Sequence, residues 1–165
     1  MRHSWKEDDM RKRLDLDEVR SFIENTSNST KIYIGADSER HRRGGVWFSD
    51  TAVVVVVHYE GKHGAKVFGD ITTERDWDQN KARPRMRLMN EVYKAAEMYL
   101  ELAEAIGDRE CEVHIDINPN EKHGSSCVIS EAVGYIRGMT GVTPKVKPQA
   151  WAASICADKF PELIG

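Results

Sequence analysis

The sequence predicts an α/β fold, a mixed sheet flanked by helices, and three observations predict it. Three strand-like runs, KIYIGAD at 31–37, VWFSDTAVVVVVHYE at about 46–59 and AKVFGDITTE at about 65–74, follow one another with short glycine-bearing links. A long segment of helical periodicity then lies between Pro84 and Gly107. Beyond it comes a further strand, CEVHIDINP at 111–119. A helical crossover would lay that strand parallel to one of the first three.

Taken in order, LDLDEVRSFIE at 14–24 sets Leu16, Val19, Phe22 and Ile23 at helical spacing, with Asp15 or Asp17 available as N-cap. ENTSNST ends that helix with turn formers. RHRRGG and GKHG supply the glycines that hairpins want, so the three strands form an antiparallel meander. Proline near the start and glycine just past the end mark 84–107 as one helix. EKHGSS leads to a helix near 128–138, and PKVKP at 144–148 offers a short strand. Pro148 opens a last helix through Trp151 to about Lys159. The order is αβββαβαβα, without internal repeat.

At 165 residues the chain suits a single domain over 1–165, with 1–13 as a charged N-terminal extension. Hydrophobic residues make up 40% and charged residues 31%, a soluble globular composition. AVVVVV at 52–57 falls far short of the roughly 18 apolar residues of a membrane span, so no membrane partner is expected. MRHSWKEDDMRKR lacks the apolar stretch of a secretory signal. Cys111, Cys127 and Cys156 form neither an even set nor a CxxC pair, which argues against a disulfide framework and a zinc site. A reducing cytoplasm is the expected setting. The net charge of -3 gives no global basic signal for nucleic acid, although basic residues bunch in RHRR and KARPRMR.

Four carboxylates stand where the pattern wants apolar groups. Asp37 follows the apolar run KIYIGA, where a turn would also explain it. On the long helix, Val92, Ala95, Tyr99, Leu102 and Ile106 fall within about 40° of Leu88, and Glu91 lies about 60° away, at the edge of this stripe. It could lean toward the sheet or snorkel to water. In CEVHIDINP, alternation sets His114, Asp116 and Asn118 opposite Val113, Ile115 and Ile117. If a helix covers that face, Asp116 needs a partner such as a metal. Asp158 shares a helical face with Trp151 and Ile155, both read as core. Each has a surface or capping explanation alone; together they form a constellation.

Clustered carboxylates repel, so something positive must offset them. Oxygen ligands suit Mg²⁺ or Mn²⁺, and two such ions about 3.5–4 Å apart serve phosphodiester hydrolysis. The order of elements, with Asp37 on the first strand, Glu91 on the next helix, Asp116 on the fourth strand and Asp158 on the last helix, resembles the ribonuclease H-like superfamily and its four-carboxylate site. More narrowly, IYIGADSE, RLMNEV, VHIDIN, EAVGYIRGM and KPQAWAASICADK resemble the bacterial YkuK-type ribonuclease H-like family, over roughly residues 14–160. The resemblance implies a five-stranded mixed sheet with first and fourth strands adjacent, bringing Asp37 and Asp116 together. It also implies a nuclease using two Mg²⁺ or Mn²⁺ ions on RNA or an RNA·DNA hybrid, leaving 3′-hydroxyl and 5′-phosphate ends. A bacterial or phage-encoded intracellular protein is the corresponding expectation.

Arg40, Arg42 and Arg43 on the first hairpin, with Arg83, Arg85 and Arg87 at the head of the long helix, are candidate phosphate grips. Cations there oppose the helix dipole, so local stability does not explain the second group. His123 could shuttle a proton, Lys159 could neutralise a phosphate, and Glu39 is a reserve metal ligand. Ordinary solubility, a plain loop histidine and a local ion pair are the competing readings. Two other functions fit the pattern: a resolvase of branched DNA, and a non-catalytic module that binds nucleic acid or a protein partner in the same groove.

Overall fold

The computed structural model describes residues 14–59, 64–76, 85–117, 125–146 and 149–155, with residues 85 and 125–127 described in their backbone alone. Helix α1 (Leu16–Glu24) begins on Asp15, whose carboxylate accepts the amide protons of Asp17 and Glu18 at 3.0 and 3.3 Å. It satisfies two of the amides that a helix start leaves orphaned. Val19 and Ile23 face the core.

Strands β1 (Lys31–Arg43) and β2 (Val46–His58) form a long hairpin, closed by Gly44 and Gly45 at φ +57° and +78°. Both turn residues lie in the left-handed region, which glycine enters without steric cost and which matches the twist of the flanking strands. Strand β3 (Ala65–Arg75) pairs antiparallel with β2. Helix α2 (Arg85–Ile106) then carries the chain back to β4 (Glu110–Ile115), which pairs parallel with β1. The sheet order is β3-β2-β1-β4, followed by helix α3 (Ser125–Thr140) and a helical turn over 151–155.

Alternation divides the sheet into two faces. Ile32, Ile34, Val53, Val55, Val57, Val113 and Ile115 join residues of α1, α2 and α3 in the main core. Each such side chain, fully buried, contributes about 1.5–3 kcal/mol of transfer free energy. On the other face Ala52, Val54, Val56 and Ile71 form a smaller cluster, against which Tyr33, Val67 and Ile155 pack.

Several expectations need correction. Among the described residues the sheet has four strands, not five, and Lys145 makes an isolated parallel bridge to His114. Prolines at both ends of PKVKP lack the amide donors that a longer ladder requires. Strand β1 does not end at Asp37 but continues to Arg43, because the β1–β2 pairing runs unbroken to the glycine turn. Strand β4 is shorter than predicted and stops at Ile115, so Asp116 stands just past the strand rather than inside it. Trp151, expected in the core, is 44% exposed.

Candidate functional site

The parallel register of β1 and β4 pairs Ala36 with Ile115 as its last step. The next residues along the two strands are Asp37 and Asp116, so the register brings two carboxylate-bearing positions to the same end of the sheet. Both are half-buried. Glu91 comes from α2, packed across this end of the sheet, and is 2% exposed. The Ser38 hydroxyl donates to its Oε2, while the Ser38 amide donates to Asp37 Oδ1 at 2.8 Å. Ser38 therefore joins the helix carboxylate to the strand carboxylate.

Glu91 Oε1 has no hydrogen-bond partner among the described residues. Burial pushes the Glu91 carboxyl well above its usual range, the Ser38 hydrogen bond pulls it back, and the negative fields of Asp37 and Asp116 raise it further. Arg87, one turn earlier on α2, lowers it. A buried carboxylate facing two others is costly as an anion, and a cation would offset that cost. The donor set of carboxylate oxygens, one of them buried and unpartnered, fits a hard divalent cation. As they stand, no three carboxylate, imidazole or thiolate groups among the described residues are close enough to hold one. Binding would require side-chain adjustment within the cluster.

The remaining expected residues divide. Asp158, Lys159 and His123 lie outside the described residues, as does Arg83, and so does the side chain of Arg85. Glu39 is exposed. Arg40 is an anchor of the hairpin: its Nε donates to Asp76 Oδ2 at 2.6 Å and its guanidinium lies 4.4 Å from the Trp47 ring centroid. Arg42 also lies over Trp47, at 5.6 Å, and Arg43 over Phe48, at 5.6 Å. Arg87 is electrostatically coupled to Glu91. It also lines a cleft of 210 Å³ with Arg75, Asn90, Tyr93 and Glu74. A larger cavity of 680 Å³, lined by Phe22, Tyr59, Lys66 and Phe68, does not include Asp37, Glu91 or Asp116.

Residues 16–162 match the ribonuclease H-like family. The chain belongs to that family. No curated protein and no solved structure gives a significant match. The mixed sheet with its parallel β1 and β4 is consistent with the ribonuclease H-like fold, which points to a nuclease-type scaffold for nucleic acid. None of the described helices is long and apolar enough to cross a membrane.

Two residues of this ribonuclease H-like chain were not assigned a role by sequence reasoning. Ser38 reads as a turn former in KIYIGADSER, yet it sits within β1 and tethers Glu91. Its signal was its place beside Asp37. His114 shares the alternation of Asp116, and periodicity gives no sign of what covers it. The imidazole is fully buried: Nδ1 accepts the Ala152 amide proton at 3.0 Å, and Nε2 donates to Glu112 Oε1 at 2.9 Å. Burial holds its pKa below the usual histidine range, against the pull of Glu112.

Proposed function

We propose that the protein is a divalent-metal-dependent nuclease that hydrolyses phosphodiester bonds, with RNA or an RNA·DNA hybrid as substrate and two Mg²⁺ or Mn²⁺ ions as cofactors. The observation that carries this reading is Glu91, buried in the field of Asp37 and Asp116 with one oxygen unpartnered. A purely structural glutamate would be satisfied or exposed, because an unpaired buried acid costs stability and returns none.

Bound divalent cations supply Lewis acidity toward a phosphodiester and an attacking water. In this reading Asp37, Glu91, Asp116 and Asp158 would hold the ions, and Glu91 would also orient the water. Ser38 fixes Glu91 Oε2, leaving Oε1 for the cation. Arg87 and Arg75 on the adjoining cleft hold substrate phosphates, with Arg42 and Arg43 reaching a more distant part of the strand. The narrower kinship with YkuK-type proteins, a single domain over 1–165 and a cytoplasmic setting belong to the same proposal.

The test is cleavage of end-labelled single-stranded RNA, duplex RNA, RNA·DNA hybrid, single-stranded DNA and a four-way junction with Mg²⁺ or Mn²⁺, comparing wild type with Asp37→Asn. Metal-dependent cutting of RNA or hybrid, lost in the variant, is expected. Cutting of the junction alone would make the protein a resolvase. Retarded mobility of labelled RNA without any cutting would make it a binding module.

A further inference from the structure

On the face of the sheet opposite α2, the start of the last helical turn is fastened to both carboxylate-bearing strands. Gly35 precedes Asp37 by two residues and His114 precedes Asp116 by two, and the register pairs Gly35 with His114. The Ala152 backbone lies directly on Gly35: a Cβ there would stand 2.5 Å from the Ala152 carbonyl carbon and 2.7 Å from the Ala153 nitrogen. Only glycine permits this approach. Beside it, the Ala152 amide donates to His114 Nδ1 at 3.0 Å, which fixes that nitrogen as the acceptor.

The imidazole itself is held from every side. Nε2 donates to Glu112, the Trp151 ring meets it edge-on at 5.3 Å, and Tyr33 packs against both rings. The backbone at His114 is pinned as well, because Lys145 accepts from the Ile115 amide at 2.9 Å and donates to the Val113 carbonyl at 2.8 Å. Ala152 and Ala153 are consequently buried.

We propose that His114, working with Gly35, is a positioning residue that seats the helical turn at 151–155 on β1 and β4 and so holds the ends of the two strands that lead into Asp37 and Asp116. This rests on the nuclease reading above. A side chain that orients a ligand-bearing element in this way typically governs metal affinity by roughly ten- to a hundredfold.

Two variants of similar polarity separate the role from simple core packing. His114→Asn keeps an acceptor at the Nδ1 position, whereas His114→Gln keeps a donor near Nε2 and lacks that acceptor. The readouts are hydrogen exchange of the Ala152 amide in the metal-free protein and Mn²⁺ affinity by calorimetry, with thermal melting to verify folding. We expect His114→Gln to lose about tenfold or more in Ala152 protection and in Mn²⁺ affinity, and His114→Asn to stay close to wild type in both. Equal behaviour of the two variants would overturn the proposal. So would loss of Ala152 protection with unchanged Mn²⁺ affinity, since the residue would then be structural only. Failure of the nuclease reading has a different signature, absence of Mn²⁺ binding by the wild-type protein, while Ala152 exchange still reports on the seat.

Discussion

Glu91 and His114 are both buried titratable side chains, on opposite faces of one sheet, and they are treated in opposite ways. His114 has a partner for each ring nitrogen and its immediate neighbours are pinned. Glu91 has one oxygen tied to Ser38, the other without a partner among the described residues, and the negative fields of two further carboxylates acting on it. Buried polar groups are normally paired, so the satisfied imidazole reads as construction, whereas the carboxyl is left with an unmet cost. The fold stabilises the first and is burdened by the second.

The contrast is broken most severely by Glu91→Gln, which removes the charge and keeps the shape. Cleavage rate should fall by about a hundredfold or more, as when a group aimed at the reacting centre is lost. Stability should move the other way. Folding holds the Glu91 pKa above its unfolded value, so no penalty exists below the unfolded pKa, and stability is lost as pH rises toward the folded one. In EDTA, therefore, the variant should melt higher than wild type, by an amount that grows with pH across that window and then levels off. A variant that melts lower at neutral pH would show that Glu91 is not strained.

His114→Ala should produce the mirror result. It leaves the Ala152 amide and Glu112 without their partner and opens a cavity, costing about 2–4 kcal/mol in a denaturant titration. Gly35→Ala should cost about 1–3 kcal/mol, because its Cβ meets backbone that cannot rotate aside. The smallest effect belongs to Ser38→Ala, about 1 kcal/mol through the lost hydrogen bond in the metal-free protein. It should nonetheless weaken Mn²⁺ binding, since Glu91 would no longer be held in place.

The same contrast separates what the sequence makes legible from what only the folded chain shows. The glycine turn at 44–45, the helix from the Pro84 region to Gly107 and the return of β4 beside β1 all follow from local chemistry and chain connectivity. Glu91 announced itself by lying near an apolar stripe, and its burial followed from α2 crossing the sheet. Periodicity could not show how far hydrogen bonding carries a strand, so the extension of β1 through Asp37 to Arg43 was hidden. Nor could it pair Arg40 with Asp76, because that ion pair depends on where β3 ends. The role of His114 was hidden for a related reason: alternation assigns a face but not its cover, and the cover comes from Ala152, distant in sequence. The fifth strand failed because its prolines outweighed its β-branched residue.

The most direct test of the central claim is a Mn²⁺ titration of isotope-labelled protein, following the paramagnetic broadening of backbone amide signals. The first signals lost should be those around Asp37, Ser38, Glu91 and Asp116, and the pattern should disappear in Glu91→Gln. Broadening that begins instead at exposed acids such as Glu39, Glu97 or Glu101, or that is the same in the variant, would contradict it.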